Sequence, residues 1–193
     1  MTIADKKAHA AIAGYLQKTP YPLLSEEGKH LPYTERCAWT TLWIVDPLDG
    51  TKEFIKRNGE FTVNIALVRN SVPVMGVIYL PVKRELYFAE ETLGAYKLSD
   101  FTARSGASLE ELIAKAVNKP IKDNNDKYII IESEGKADVY PRVAPSMEWD
   151  TAAGHAIARA VGRDVYQAGK EEPLQYNKED LLNPWFIVEP RRN

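Results

Sequence analysis

The spacing of apolar and polar positions divides the chain into a helical opening, a run of strands and a mixed second part. Ala8, Ile12, Tyr15 and Leu16 recur at helical spacing, which puts them on one face of an opening helix. Thr2 can cap that helix, Asp5 can answer the cap three residues on, and Thr19-Pro20 ends it. From Thr41 the period changes. Residues 42–45 (Leu-Trp-Ile-Val) are continuously apolar and read as a buried strand. Residues 61–68 alternate in part, through Phe61, Val63, Ile65 and Leu67. Residues 72–80 are rich in β-branched and apolar side chains, and Asn70-Ser71 reads as the turn between these two strands. Residues 85–89 and 95–98 continue the series, with turns at Lys83-Arg84 and Leu93-Gly94. The pattern predicts an antiparallel meander followed by a helix over residues 108–117.

Past residue 118 the pattern is broken by polar clusters. It predicts short strands at 128–131, 137–140 and 186–188. A helix over 151–161 is packed with small residues (Ala152, Ala153, Gly154, Ala156, Ala158, Ala160), which allow close approach to a neighbour. Strands and helices mixed in this way imply a layered α/β or α+β architecture.

Composition narrows the class of protein. At 193 residues, 45% hydrophobic and 27% charged, the chain has the makeup of a soluble globular domain. A net charge of −2 exerts no general pull on nucleic acid or an anionic membrane, so an anionic substrate must be handled locally. Cys37 is the one cysteine, which excludes an internal disulfide and a thiolate metal cluster. Three scattered histidines do not suggest a histidine metal site. No apolar run approaches the roughly 20 residues of a bilayer span, and the start of the chain carries no basic-then-apolar signal pattern. These features predict a cytoplasmic protein, with peripheral membrane association left open and the oligomeric state unspecified.

The chemistry concentrates in Asp46-Pro47-Leu48-Asp49-Gly50-Thr51-Lys52-Glu53-Phe54. Asp46 closes the apolar strand, and Pro47 fixes its own φ and removes a donor, favouring a sharp exit. Asp49 can then swing back towards Asp46. Two close carboxylates repel unless cations sit between them, and hard oxygen ligands select Mg²⁺ or Mn²⁺. Gly50 lets the backbone approach a ligand, the N–H groups after it suit a phosphate, and the Thr51 hydroxyl can bond an attacking water. A bare pair of aspartates at this spacing also makes an Asx turn. Three further acids have ordinary readings of their own: Asp150 as a helix N-cap, Glu26-Glu27 as a solvated turn, and Asp5 as half of a capping box.

Taken together, D-P-L-D-G-T-K-E-F and the later W-D-T-A-A-G-H (residues 149–155) resemble the inositol monophosphatase superfamily of lithium-sensitive, Mg²⁺-dependent phosphatases. The K-E-F after D-G-T and the stretch at 135–142 resemble its 3′(2′),5′-bisphosphate nucleotidase branch (CysQ type). The resemblance implies a layered, inositol-monophosphatase-like α+β sandwich (αβαβα). It implies a single phosphatase domain over 1–193, with a metal- and phosphate-binding part at about 1–117. A smaller α/β part at about 118–193 would supply Asp150 and nucleotide contacts. Glu26, Asp46, the Leu48 carbonyl, Asp49 and Asp150 would hold about two or three Mg²⁺ ions, or Mn²⁺. Asp5 and Thr51 would activate the attacking water. Asp49, Gly50, Thr51, Arg142 and Asp150 would contact substrate.

The family pattern also has helices before the Thr2 helix, and a strand, a helix and a G-S-S-x-K segment before residue 135. Neither has a counterpart here, which predicts a missing stretch near Ile131-Glu132. The implied reaction removes the 3′-phosphate of adenosine 3′,5′-bisphosphate, leaving AMP, a step of sulfur metabolism. An inositol or sugar phosphate monophosphatase and a metal- or nucleotide-binding regulatory module are the alternatives. Arg142 could equally form a salt bridge, and Lys52, Lys56 and Arg57 could equally lie on a solvated helix face.

Overall fold

The computed structural model describes residues 2–102, 107–118, 140–142 and 145–192; for Asn118 and residues 140–142 it describes the backbone alone. Helix α1 (Ile3–Leu16) opens the chain with the predicted capping box: Thr2 Oγ1 accepts the Ala4 and Asp5 N–H groups, and Asp5 accepts the Thr2 N–H. Its inward face differs from the prediction. Asp5 and Ala13 are buried, whereas Tyr15 is exposed and lies under the Lys18 ammonium at 4.7 Å. The helix stops where expected, with the Thr19 hydroxyl donating to Leu16 O.

The strands β1 (Leu23–Ser25), β2 (Thr41–Asp49), β3 (Thr62–Arg69), β4 (Val72–Leu80), β5 (Glu85–Glu90), β6 (Gly94–Leu98) and β7 (Val117–Asn118) form one sheet in chain order. Only β1 and β2 run parallel; β2 to β6 form the predicted meander, and β7, where the end of a helix was expected, adds antiparallel to β6. The turn at Asn70-Ser71 has both residues at positive φ, the geometry that matches hairpin twist. Short helices α2 (Tyr33–Arg36) and α3 (Thr51–Lys56) flank β2, and α4 (Leu109–Lys115), capped by Ser108, follows β6.

Both faces of this sheet are covered. On one, Leu42, Ile44, Ala66, Val68 and Ile78 meet α5 (Glu148–Ala160). On the other, Leu86, Phe88 and Leu98 pack with Leu112 and Ile113 of α4, and Trp43 donates its Nε1–H to Thr19 just past α1. The fully buried positions of β3 are therefore Asn64, Ala66 and Val68; the set Val63, Ile65 and Leu67 is half-buried. With two covered faces, β3 has no single apolar parity for the sequence to display.

Helix α5 begins three residues earlier than predicted. Its small residues do bring it close to β4: a Cβ on Gly76 would lie 2.3 Å from Ala153 O. Over its outer side closes a second sheet, ordered β8 (Tyr140–Arg142), β10 (Phe186–Pro190) and β9 (Arg163–Gln167), all antiparallel. Strand β9, rich in polar residues, gave no apolar signal. Among the described residues the layers run helix, sheet, helix, sheet. The predicted strand at 128–131 and the missing stretch near Ile131-Glu132 fall on residues 119–139, outside the described residues.

Candidate active site

Strand β2 does not end at Asp46. It pairs with β3 as far as Asp49, with a register shift between the two aspartates: Asp46 lies opposite Asn64, and Asp49 opposite Thr62. The inserted residue is a bulge, and it decides the geometry. Residues three apart in a regular strand point to opposite faces; one extra residue returns them to the same side. Asp46, Asp49 and Asp150 each bring a carboxylate oxygen to one place, all within 4.8 Å of one another. Asp46 Oδ1 also accepts the Leu48 N–H at 2.9 Å, so the Asx turn exists within the bulge.

Asp150 reaches the cluster from α5. It is the third helical residue, not the cap, and its Oδ2 accepts the Met147 N–H at 2.7 Å. Glu26 follows β1 and its carboxyl hydrogen-bonds that of Asp46. Burial, reinforced by the charges of Asp49 and Glu26, pushes Asp46 up to about 9. Glu26 is exposed as a residue, but partial desolvation of its carboxyl and the charges of Glu27, Asp49 and Asp5 outweigh the Asp46 hydrogen bond and raise it as well. Glu27 Oε2 is buried with no hydrogen-bond partner among the described residues. Converging hard oxygen donors, like charges that cannot all ionise together, and an orphaned carboxylate oxygen fit a divalent cation.

Gly50 follows at φ +89°, where a Cβ would meet Glu60 O at 3.0 Å. That left-handed residue turns the chain into α3 and sets Thr51 at its start. The Thr51 hydroxyl lies 3.2 Å from Asp5 Oδ1 and 3.4 Å from Leu48 O. Asp5 is 1% exposed. Burial works against its charge, but hydrogen bonds from Thr2 and Thr51 outweigh that and hold its carboxyl below the ordinary value. Asp5 and Thr51, 46 residues apart in sequence, thus form one pair beside the aspartates.

The structure brings together Asp5, Glu26, Asp46, Asp49, Thr51 and Asp150, with Leu48 and Gly50 in the connecting backbone. Arg142 pairs through its backbone with Phe186 in the outer sheet, and its side chain lies outside the described residues. Lys56 lies on a solvated helix face, 3.7 Å from Glu53.

Sequence reasoning missed the residues that hold the acids. Buried Asn64 donates to Asp49 Oδ2 at 3.3 Å; a polar residue amid an apolar strand was its only signal. His9 Nδ1 meets Ser25 Oγ at 2.9 Å. His30 lies against the Trp149 ring at 5.3 Å, with Nε2 3.1 Å from Glu26 O, and so joins the Glu26 turn to the start of α5.

The model of the inositol monophosphatase family matches residues 1–127. The 3′(2′),5′-bisphosphate nucleotidase CysQ of Escherichia coli (strain K12) is 39% identical, over 97% of this chain and 84% of that protein. That alignment spans 209 positions, more than the 193 residues of the chain, so the relative carries residues within the matched span that this chain lacks. The crystal structure of CysQ from Bacteroides thetaiotaomicron, a bacterial member of the inositol monophosphatase family, superposes with a TM-score of 0.89 and 57% identity, covering 100% of this chain and 85% of that one. Staphylococcal IMPase-II shares the fold at 21% identity, with a TM-score of 0.65 over 97% of this chain and 77% of its own.

Proposed function

The chain belongs to the inositol monophosphatase family, and on that premise we propose that it hydrolyses the 3′-phosphate of adenosine 3′,5′-bisphosphate to AMP and phosphate. It is a phosphoric monoester hydrolase of the 3′(2′),5′-bisphosphate nucleotidase kind, dependent on a divalent metal. The observation that carries the reading is the meeting of Asp46, Asp49 and Asp150 within 4.8 Å, in a chain so similar to the CysQ nucleotidases.

Glu26, Asp46, the Leu48 carbonyl, Asp49 and Asp150 would hold the cation, and Mg²⁺ suits their all-oxygen donor set. Mg²⁺ there supplies positive charge that acidifies water and offsets charge building on the phosphate oxygens. The chain's own residues do the rest. Thr51 donates to Asp5 Oδ1, which leaves its hydroxyl oxygen free to accept from the attacking water and to fix that water's direction. As the water attacks phosphorus its proton would pass through the Thr51 hydroxyl to ionised Asp5, while the bond from phosphorus to the ribose 3′-oxygen breaks and that oxygen takes a proton from solvent water. The backbone at Gly50 and Thr51 offers first-turn N–H groups without intrahelical acceptors to the phosphate. Asp49 and Asp150 would contact substrate as well as cation, and Arg142 is assigned to the nucleotide.

We read residues 1–193 as one phosphatase domain, whose part beyond about residue 118 supplies Asp150. A cytoplasmic location fits the single free thiol, Cys37. No helix among the described residues is long and apolar enough to cross a membrane.

Phosphate release from adenosine 3′,5′-bisphosphate and from inositol 1-phosphate, measured side by side with Mg²⁺, tests the assignment. The nucleotide should be preferred at least tenfold in kcat/KM, equal to about 1.4 kcal/mol in the barrier. Preference for the inositol ester would overturn it.

A further inference from the structure

Three carboxylates whose oxygens lie within 4.8 Å repel, so the elements bearing them must be held by contacts outside the cluster. One short segment, Tyr176 to Asn183, touches both loops concerned. Asn177, in the left-handed region at φ 63°, gives its main-chain N–H to Glu148 Oε2 at 2.6 Å. Its side chain donates to Arg36 O and accepts from Arg36 Nη1, both at 2.8 Å. Lys178 gives Glu148 Oε1 its main-chain N–H at 3.0 Å and its ammonium at 2.6 Å. The carbonyls of Lys178 and Glu179 accept from Arg36 Nη2. Asn183 donates to Met147 O and Thr151 Oγ1.

The two ends of this clamp are placed for a purpose. Glu148, fully buried, stands two residues before Asp150 on the first turn of α5. Arg36, 3% exposed, closes the loop that begins at Glu26. A charged side chain buried to that degree is retained only with full compensation; Glu148 finds it in Asn177 and Lys178, and Arg36 finds it in the same two residues together with the carbonyls of Glu179 and Leu31. We propose that Asn177 and Lys178 are positioning residues that fix the separation of Glu26 and Asp150 against the repulsion of the acid cluster, and so set its affinity for divalent cations. The inference rests on Glu26 and Asp150 being cation ligands.

Mn²⁺ binding to the full chain, followed by titration calorimetry and by loss of the free-ion electron paramagnetic resonance signal, tests it. Lys178→Met should weaken Mn²⁺ binding about tenfold, the scale seen when partners behind metal ligands are removed. Lys178→Arg, which restores the charge, should recover it to within about threefold. Lys97→Met, which removes the partner of Glu85 between β5 and β6, away from the clamp, should lower the melting temperature but leave Mn²⁺ affinity unchanged. A Lys178→Met protein that melts lower but binds Mn²⁺ like the wild type would reduce the clamp to a structural contact. Should that variant fail to fold, amide exchange in the wild-type chain decides: Mn²⁺ should slow exchange at Asn177 and Lys178, and unchanged rates would overturn the proposal. A wild-type chain that binds no Mn²⁺ would overturn the ligand assignment as well, whereas intact wild-type binding with an unaffected Lys178→Met overturns the clamp alone.

Discussion

Helix α5 brings ionisable side chains into two clusters, and the two are built in opposite ways. At its first turn Asp150 joins Asp46 and Asp49, with Glu26 beside them, and acid faces acid. One turn further along, His155 stands between the Tyr176 hydroxyl, 3.0 Å from Nδ1, and the Asp164 carboxylate, 2.5 Å from Nε2. Asp164 also meets Arg159 at 3.0 Å and Arg191 at 3.5 Å. Burial disfavours its charge, but the His155 hydrogen bond and the cationic neighbours outweigh this and hold its carboxyl below the ordinary value. Burial keeps His155 low and neutral. At the second place the acid meets cations of this chain, although Arg159 Nε is buried with no partner among the described residues, and the cluster ties the helix to β9. The first is complete only when positive charge arrives from outside. Burial alone therefore does not mark a functional acid; the imbalance of the charges around it does.

Substituting one acid at each place separates the two most sharply at Asp49. Asp49→Asn should lower phosphate release from adenosine 3′,5′-bisphosphate by at least about 100-fold, the scale of losing one preorganised electrostatic contact to the transition state. Removing a like charge should also relieve repulsion in the metal-free protein. Its melting temperature should hold or rise by a few degrees, about 1 kcal/mol in a domain of this size. Activity within threefold of wild type would show that the cluster is not where the reaction occurs.

Asp164→Asn should do the reverse. It strips the charged partner from a buried histidine and two arginines. The arginines retain some access to water, so the cost should be about 2–3 kcal/mol, less than for a fully enclosed pair. Chemical denaturation should show that loss, while kcat per folded molecule stays within about twofold. A large fall in kcat with stability intact would mean that the balanced network takes part in turnover.

What the sequence disclosed follows the same division. Asp46, Asp49, Gly50 and Thr51 were legible because one unbroken motif holds them, and the strand order was legible because hairpins join neighbours. The bulge that turns both aspartates to one side was not, since it depends on where β3 pairs. Asp5, Glu26 and Asp150 each had an ordinary local role; Asp5 fills its own in the capping box and Glu26 sits in an exposed turn, whereas Asp150 is not the cap of α5 but its third residue, accepting the Met147 N–H. Only the resemblance singled them out. Asn64, Arg36, Asn177 and the Glu148–Lys178 pair were invisible because their partners lie far along the chain or on a neighbouring strand.

The smallest of the expected effects concerns pH, and its sign distinguishes the two places once more. In the metal-free protein Asp46 is pushed from an ordinary 3.8 up to about 9. A group whose folded value lies above its unfolded one favours the folded state at low pH and loses that contribution as pH rises towards the folded value. The metal-free chain should therefore lose melting temperature steadily between pH 5 and pH 8. Divalent cation must displace the proton held there, so the rise in melting temperature on adding saturating Mg²⁺ should grow across the same interval, approaching tenfold in affinity per pH unit for one displaced proton. Asp164, with its folded value depressed below the ordinary 3.8, contributes stability that is already complete above that value and adds no slope in this window. Melting curves of the wild type and of Asp49→Asn, with and without Mg²⁺, read this directly. Removing the charge of Asp49 lowers the pressure on Asp46, so the slope should flatten in that variant; an equal slope in both proteins would show that Asp46 takes its proton for burial alone and not because its neighbours share its charge.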